Sequence, residues 1–130
     1  MLRELAGLEV GSCGAGEECA RSDIVFGRSE QLEQDAVIQE WQTLLATRLI
    51  CIGEVHHEHG ALFMDSRGNC YHGSLIHEAF SFEGEAFNVA VERILLGRRG
   101  RPMLRPSQPS VTMWGEVFTA SHPGIYRYRS

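Results

Sequence analysis

The sequence predicts a single α+β domain, in which a mostly antiparallel or mixed sheet packs against two to three helices. Three observations predict it. Strand-sized apolar runs lie between residues 48 and 73, a helical apolar stripe follows between residues 87 and 95, and a second stripe lies between residues 29 and 47. At 130 residues the chain is long enough to bury one core.

The strand-sized runs are Arg48–Val55, Ala61–Asp65 and Cys70–Gly73, and polar turns that contain glycine separate them. The first run is almost continuously apolar and rich in β-branched residues, which is typical of an interior strand. Gly68 can adopt the positive φ that a tight reversal requires. We therefore expect an antiparallel meander.

A helix is predicted after the meander. The residues of its apolar face recur at spacings of three and four, and they are Phe87, Ala90, Val91, Ile94 and Leu95. Ser81 is the candidate N-cap, Glu83 and Glu85 suit the positive end of the helix dipole, and Gly97 is the candidate C-terminal stop.

An earlier helix is predicted between Ser29 and Thr47, with Asp35 or Ser29 as its N-cap. Its apolar face carries Val37, Trp41, Leu44 and Leu45. Trp41 is expected to be a large part of the core, because a buried aromatic side chain of this size covers roughly 150 to 250 Å².

The two ends of the chain have weaker patterns. Leu8–Val10 and Ile24–Phe26 are predicted to form a loose hairpin. Residues 98–109 combine arginines with three of the four prolines, which indicates a linker or extended arm. Residues 111–120 alternate weakly and are expected to add a last strand.

Composition restricts the class of protein. The sequence has no apolar run of about 18 residues and no secretory signal, so we expect a cytoplasmic protein without a membrane span. Its four cysteines, Cys13, Cys19, Cys51 and Cys70, form no CxxC pair and are expected to be free thiols.

Charge is divided unevenly. Residues 1–65 hold 12 carboxylates and 4 arginines, a net charge of −8, whereas residues 66–130 hold 5 carboxylates and 8 arginines, a net charge of +3. An acidic half can steer a basic partner and repels a nucleic-acid backbone.

The strongest metal candidate is the sequence His56, His57, Glu58 and His59, because imidazoles and carboxylates bind zinc. Its spacing favours a solvated turn, and a pH-sensitive contact is a further alternative. His72, His77 and His122 can join such a site only if the fold brings them together.

No catalytic residue is predicted. Glu54 and Asp65 are expected to be solvated residues that flank turns, and Cys51 lies in an apolar strand where thiol reactivity falls. The glycine-rich loop from Gly11 to Gly16 lacks the ending of a P-loop. The arm from Arg98 to Arg105 has enough positive charge to touch phosphates, which leaves nucleic-acid binding as an alternative.

Several short motifs occur in a characteristic order. They are Leu-Arg-Glu-Leu-Ala-Gly-Leu-Glu-Val from Leu2, Ile24–Gly27, Trp41, Leu49–Glu54, Leu62–Gly68, Tyr71, Phe82 and Leu95–Gly97. In this order they resemble the third SUKH subfamily of bacterial immunity proteins. The resemblance implies a SUKH-like domain over residues 1–105 that begins within a truncated N-terminal helix, followed by an extension over residues 106–130.

The resemblance also implies a function. Members bind and neutralise a polymorphic toxin of competing bacteria, often a nuclease or a deaminase, without cofactors or enzymatic activity. Charge and expected exposure make candidate toxin contacts of Glu30, Glu33, Glu40, Glu54 and Glu58. The shortened N-terminus is expected to leave apolar surface exposed, which adds a homodimer as an alternative.

A metal-assisted hydrolase or regulatory module that uses His56, His57 and His59 remains a second hypothesis, and a nucleic-acid-associated protein that uses Arg98–Arg105 remains a third.

Overall fold

The computed structural model describes residues 9–10, 24–27, 30–55, 60–74, 79–96 and 98–128, with the backbone alone at positions 9, 10, 30 and 31. In these residues seven strands form one sheet, and each strand pairs antiparallel with its neighbours in sequence order. The strands are β1 Glu9–Val10, β2 Ile24–Phe26, β3 Ile50–Val55, β4 Gly60–Met64, β5 Cys70–Ser74, β6 Ala79–Gly84 and β7 Arg101–Met103.

Three helices and a small hairpin complete the described fold. The helices are α1 Glu30–Glu33, α2 Ala36–Leu45 and α3 Phe87–Leu96, and the hairpin consists of β8 Ser110–Met113 and β9 Glu116–Thr119. The predicted α+β class, the predicted meander and the predicted pairing of the first two strands are confirmed. No helix within the described ranges is long and apolar enough to cross a membrane.

The sheet is covered on both faces. On the α2 face, Ile38 and Trp41 of the helix pack in one buried cluster with strand residues that include Phe63 and Phe80. On the α3 face, Ala90 and Ile94 pack with a second set that includes Leu62. Because strands buried on both faces have no wet side, they carry nearly continuous apolar residues, which accounts for the composition of β3.

The helix predicted between Ser29 and Thr47 is broken into α1 and α2. Asp35, one of the two predicted N-caps, caps α2: its carboxylate accepts a hydrogen bond from the Val37 backbone N–H at 2.9 Å. A residue that caps has non-helical backbone angles, and for this reason α1 does not continue into α2. The Trp41 ring stacks on Phe80 with centroids 4.8 Å apart.

The predicted start of the later helix is wrong. Ser81 is not an N-cap: it lies fully buried in β6, where its hydroxyl donates to Glu83 at 2.8 Å. Phe80 and Phe82 place their rings on the α2 face, so a period of two determines this segment, and α3 begins only at Phe87. The apolar alternation of a buried strand here outweighs a local capping signal.

The segment after α3 is not a linker throughout. Arg101–Met103 is β7, an edge strand paired with β6, and Pro102 is tolerated there because an edge strand does not need every backbone N–H. Residues 126–128 then cross the α2 face: Tyr126 stacks on Phe82 with centroids 4.2 Å apart, and Tyr128 meets Trp41 edge-on at 5.3 Å.

The buried ionisable side chain of His72 lies within the sheet, on β5. Burial lowers the pKa of His72 from its ordinary value of 6.5 to about 4. Gly60 of the neighbouring strand lies against the imidazole ring, since a Cβ at Gly60 would lie 2.6 Å from the His72 Nε2 atom. The imidazole is therefore neutral in the folded protein at neutral pH.

We expect Tyr126→Ala to lower the free energy of unfolding by roughly 2 kcal/mol, because it removes a ring that is stacked on the core. Urea unfolding followed by tryptophan fluorescence measures this. Arg127→Ala is the matched control, since its side chain is exposed and is expected to cost less than about 0.5 kcal/mol. Equal losses in the two variants would contradict the role of the tail in the core.

We expect His72 to make folding sensitive to acid. Below an unfolded pKa of 6.5 the unfolded chain binds a proton that the folded chain, with a pKa of about 4, does not bind, so stability falls as the pH drops through this window. The loss is at most roughly 3 kcal/mol. Urea unfolding at pH 7 and pH 4 measures it, and His72→Gln should lose less over this interval than the wild type, whereas His122→Gln should not reduce the loss.

Candidate functional site

The five candidate acidic contacts have different environments. Glu54 is exposed on β3, and Glu40 on α2 is partly exposed, with its carboxylate accepting from Arg105 Nη1 at 2.8 Å. Glu33 is only 7% exposed, and its carboxylate accepts from the Cys51 backbone N–H at 3.1 Å. The expectation that Glu33 is an exposed contact is therefore wrong. The Glu30 side chain and Glu58 lie outside the described residues.

The expectation that Asp65 is a solvated residue beside a turn is also wrong. Asp65 is 8% exposed and accepts four hydrogen bonds. Its Oδ1 accepts from the backbone N–H groups of Arg67 and Asn69 at 2.8 and 3.0 Å, and its Oδ2 accepts from the Asn69 amide at 3.1 Å and the Tyr71 hydroxyl at 2.9 Å. Burial and this hydrogen bond raise the pKa of Tyr71. Asp65 holds the β4–β5 turn, with Gly68 at the predicted positive φ of 91°.

The histidines do not form a site in the part of the chain that is described. His72 is buried in the sheet, whereas His122 lies by the small hairpin and contacts the Glu116 carboxylate at 2.7 Å. No group of three or more His, Cys, Asp or Glu residues there is arranged to hold a metal ion. His56, His57, His59 and His77 lie outside the described residues, so the predictions for them are unaffected.

The two described cysteines are buried and neither forms a disulfide, as predicted. The Cys51 thiol donates to the Gly53 carbonyl at 3.7 Å, and the Cys70 thiol donates to the Gly68 carbonyl at 3.6 Å. Burial, with a smaller effect of the Asp65 and Glu83 carboxylates, raises the pKa of Cys70 to about 12. The Cys70 thiol is therefore protonated at neutral pH and is a poor nucleophile.

The arginines of the arm make contacts within the chain. Arg99 pairs with Glu116 at 3.3 Å and lies over the Trp114 ring, and Arg101 donates to the Ile125 carbonyl at 3.2 Å. Arg105 pairs with Glu40. These guanidinium groups attach the C-terminal residues to the sheet and to α2. The arginines that the sequence offered as candidates for phosphate binding therefore have a structural role.

A cleft of about 300 Å³ lies where three segments meet. The end of α2 contributes Leu45 and Thr47, β5 and the turn before it contribute Asp65, Arg67, Asn69 and Tyr71, and the C-terminal segment contributes Tyr126, Arg127 and Tyr128. We call it the Arg67–Arg127 cleft. Sequence reasoning missed this site, because its parts lie up to 83 positions apart. The only local signal is the alternation of Tyr126, Arg127 and Tyr128.

The Arg67–Arg127 cleft has an unbalanced charge. Arg67 and Arg127 are both exposed, and neither side chain forms an ion pair with a described residue. The Asp65 carboxylate in the wall accepts four hydrogen bonds from other groups and pairs with neither guanidinium group. Guanidinium groups with free N–H donors bind carboxylates or phosphates in a bidentate manner, so the cleft can bind an anionic group.

The comparisons with known proteins agree with the resemblance in the sequence. The family model of the SUKH-3 immunity protein matches residues 1–97. Neither the curated proteins nor the solved structures contain a match to this chain. The matched residues extend from the N-terminus through α3 and comprise about three quarters of the sequence. The chain belongs to the SUKH-3 immunity protein family.

Proposed function

We propose that this protein neutralises a cognate polymorphic toxin by binding it, without enzymatic activity, in the cytoplasm of the cell that produces the toxin. Membership of an immunity protein family carries the proposal, because immunity proteins protect against toxins. We further propose that the toxin is a nuclease or a deaminase and that binding blocks its active site. These two points go beyond the family assignment.

The architecture suits binding through a preformed surface. Both faces of the sheet are filled, and the chain after α3 is held by stacked rings and ion pairs. A rigid surface loses little conformational entropy when it binds, and this favours tight complexes. The buried thiols and the neutral, buried His72 serve the core in the described residues, and they support a role in recognition instead of chemistry.

Charge supports a basic partner surface at one end of the molecule. The chain has a net charge of −5, and the exposed Glu54 stands near the end of β3, with Glu58 four positions further along the sequence. We propose Glu30, Glu40, Glu54 and Glu58 as toxin contacts, and we exclude Glu33 because the fold uses it internally. Complementary charge mainly raises the rate of association.

Co-expression tests the proposed function. A toxin domain, identified among the reading frames that neighbour this gene, is expressed in a bacterial host with or without this chain, and growth and the toxin's nuclease or deaminase activity are measured. We expect the chain to restore growth and to abolish the activity of the purified toxin domain at a one-to-one ratio. Persistent toxicity despite soluble expression would contradict the proposal.

We expect Glu54→Arg to slow association with the toxin domain by about three- to tenfold at low ionic strength, with little change in dissociation. Surface plasmon resonance at several salt concentrations measures both rates, and the difference should shrink as salt screens the charges. Glu92→Arg on the exposed side of α3 makes the same charge change as a control. An equal effect of both variants would show that only net charge matters.

A further inference from the structure

We propose that the Arg67–Arg127 cleft binds an acidic polypeptide segment of the toxin through salt bridges to the two guanidinium groups. The inference rests on the proposed function, since it names the part of the partner that this surface binds. It adds a contact at the opposite end of the sheet from Glu54.

The walls of the cleft are fixed before any partner arrives. The turn is held by the hydrogen bonds of Asp65, and Thr47 is tied to this turn because its hydroxyl lies 2.9 Å from that of Ser66. On the other side the Tyr126 N–H donates to the Pro102 carbonyl at 2.8 Å, and the Tyr128 hydroxyl donates to the Leu104 carbonyl at 2.6 Å. A site built in this way binds without first having to order its walls.

The charge of the cleft indicates the chemistry of the ligand. Four other arginines of the described chain bond to neighbouring groups: Arg93 donates to the Arg99 carbonyl, Arg99 and Arg105 pair with carboxylates, and Arg101 donates to the Ile125 carbonyl. The exposed Arg48 lies at a different depression of the surface. Arg67 and Arg127 make no such contact with described residues, although Asp65 lies in the same wall. Because the donors of Asp65 satisfy its carboxylate, the two guanidinium groups remain available for an external anion.

An acidic peptide fits the cleft better than a nucleic acid does. The chain carries a net charge of −5, so a long polyanion is repelled by most of its surface, whereas a short acidic loop contacts the cleft alone, where two arginines outnumber the one buried carboxylate of Asp65. Tyrosine and arginine are also the residues that contribute most to protein interfaces, because they bury large areas and still form hydrogen bonds. The ligand is therefore a carboxylate-bearing loop or terminus of a protein.

The position of the cleft separates it from the acidic contacts. The turn that carries Arg67 follows Met64, which pairs with Ile50 at the start of β3, whereas Glu54 pairs with Ala61 near the other end. Glu54 lies four positions from Ile50 along β3, a distance of about 13 Å. A partner that spans both ends presents a basic region to Glu54 and an acidic one to the cleft.

The first experiment uses a defined probe, a capped peptide of eight glutamates, and follows backbone amides by NMR at low salt. We expect the amides of Arg67, Asn69 and Tyr126 to shift, and we expect the apparent Kd to rise at least tenfold in the double variant Arg67→Glu with Arg127→Glu. Arg48→Glu is the control, because Arg48 is also an exposed arginine but lines a different depression, beside Glu33. Its Kd should change less than twofold.

The same titration decides between ligand classes. An oligonucleotide of eight thymidines that binds the cleft more tightly than the peptide, or a peptide that shifts no amide of the cleft, would overturn the proposal. Urea unfolding of each variant shows whether it is folded. If the double variant unfolds, Arg67→Gln with Arg127→Gln removes the charges and takes its place, with the same loss expected.

The second experiment uses the toxin domain and separates this inference from the proposed function. If the wild-type chain binds the domain and the double charge-reversal variant binds at least tenfold more weakly, both hold. If both chains bind with equal Kd, the cleft is not the contact but the immunity function stands. If the wild-type chain neither binds nor protects, the proposed function fails, and so does the assignment of the toxin as the partner.

Discussion

The central sheet has to bury apolar side chains on both of its faces, and the other parts of the molecule are placed by that requirement. Trp41 of α2 stacks on Phe80 from one side, while Ala90 and Ile94 of α3 cover the other side. Neither helix is long enough to be stable alone, so each depends on the sheet that it covers. Tyr126 and Tyr128 complete the α2 face. Residues beyond the end of the family match at residue 97 therefore contribute to the core.

Polar groups inside this structure are used to shape it. Asp65 accepts four hydrogen bonds and thereby fixes the turn between β4 and β5, and Glu33 joins α1 to β3 through the Cys51 backbone N–H. A buried carboxylate is stable only when donors replace its lost hydration. Both residues are therefore structural in the fold, although in the sequence they resemble surface charges.

The charges that remain on the outside give the molecule two different ends. Glu54 lies near one end of the β3–β4 pair, and the Arg67–Arg127 cleft lies at the other. A surface that carries both signs at a fixed separation selects a partner by register as well as by net charge, since a partner with the wrong pattern brings like charges together. Such selectivity would serve the proposed function, the binding of a cognate toxin.

The sequence by itself determined the class of fold, the meander, the Asp35 cap, the apolar faces of α2 and α3 and the family. The fold elements depend on residues close together in the chain, where periods of two and of three to four are readable, and the family resemblance depends on the order in which short local motifs follow one another. The tertiary structure alone decided that Ser81 belongs to a strand, that Arg101–Met103 forms an edge strand beside β6, that Glu33 and Asp65 are buried, and that Arg67 and Arg127 line one cleft. Burial, pairing at a sheet edge and the lining of a cleft depend on segments far apart in the chain, and no local pattern records which segments will meet.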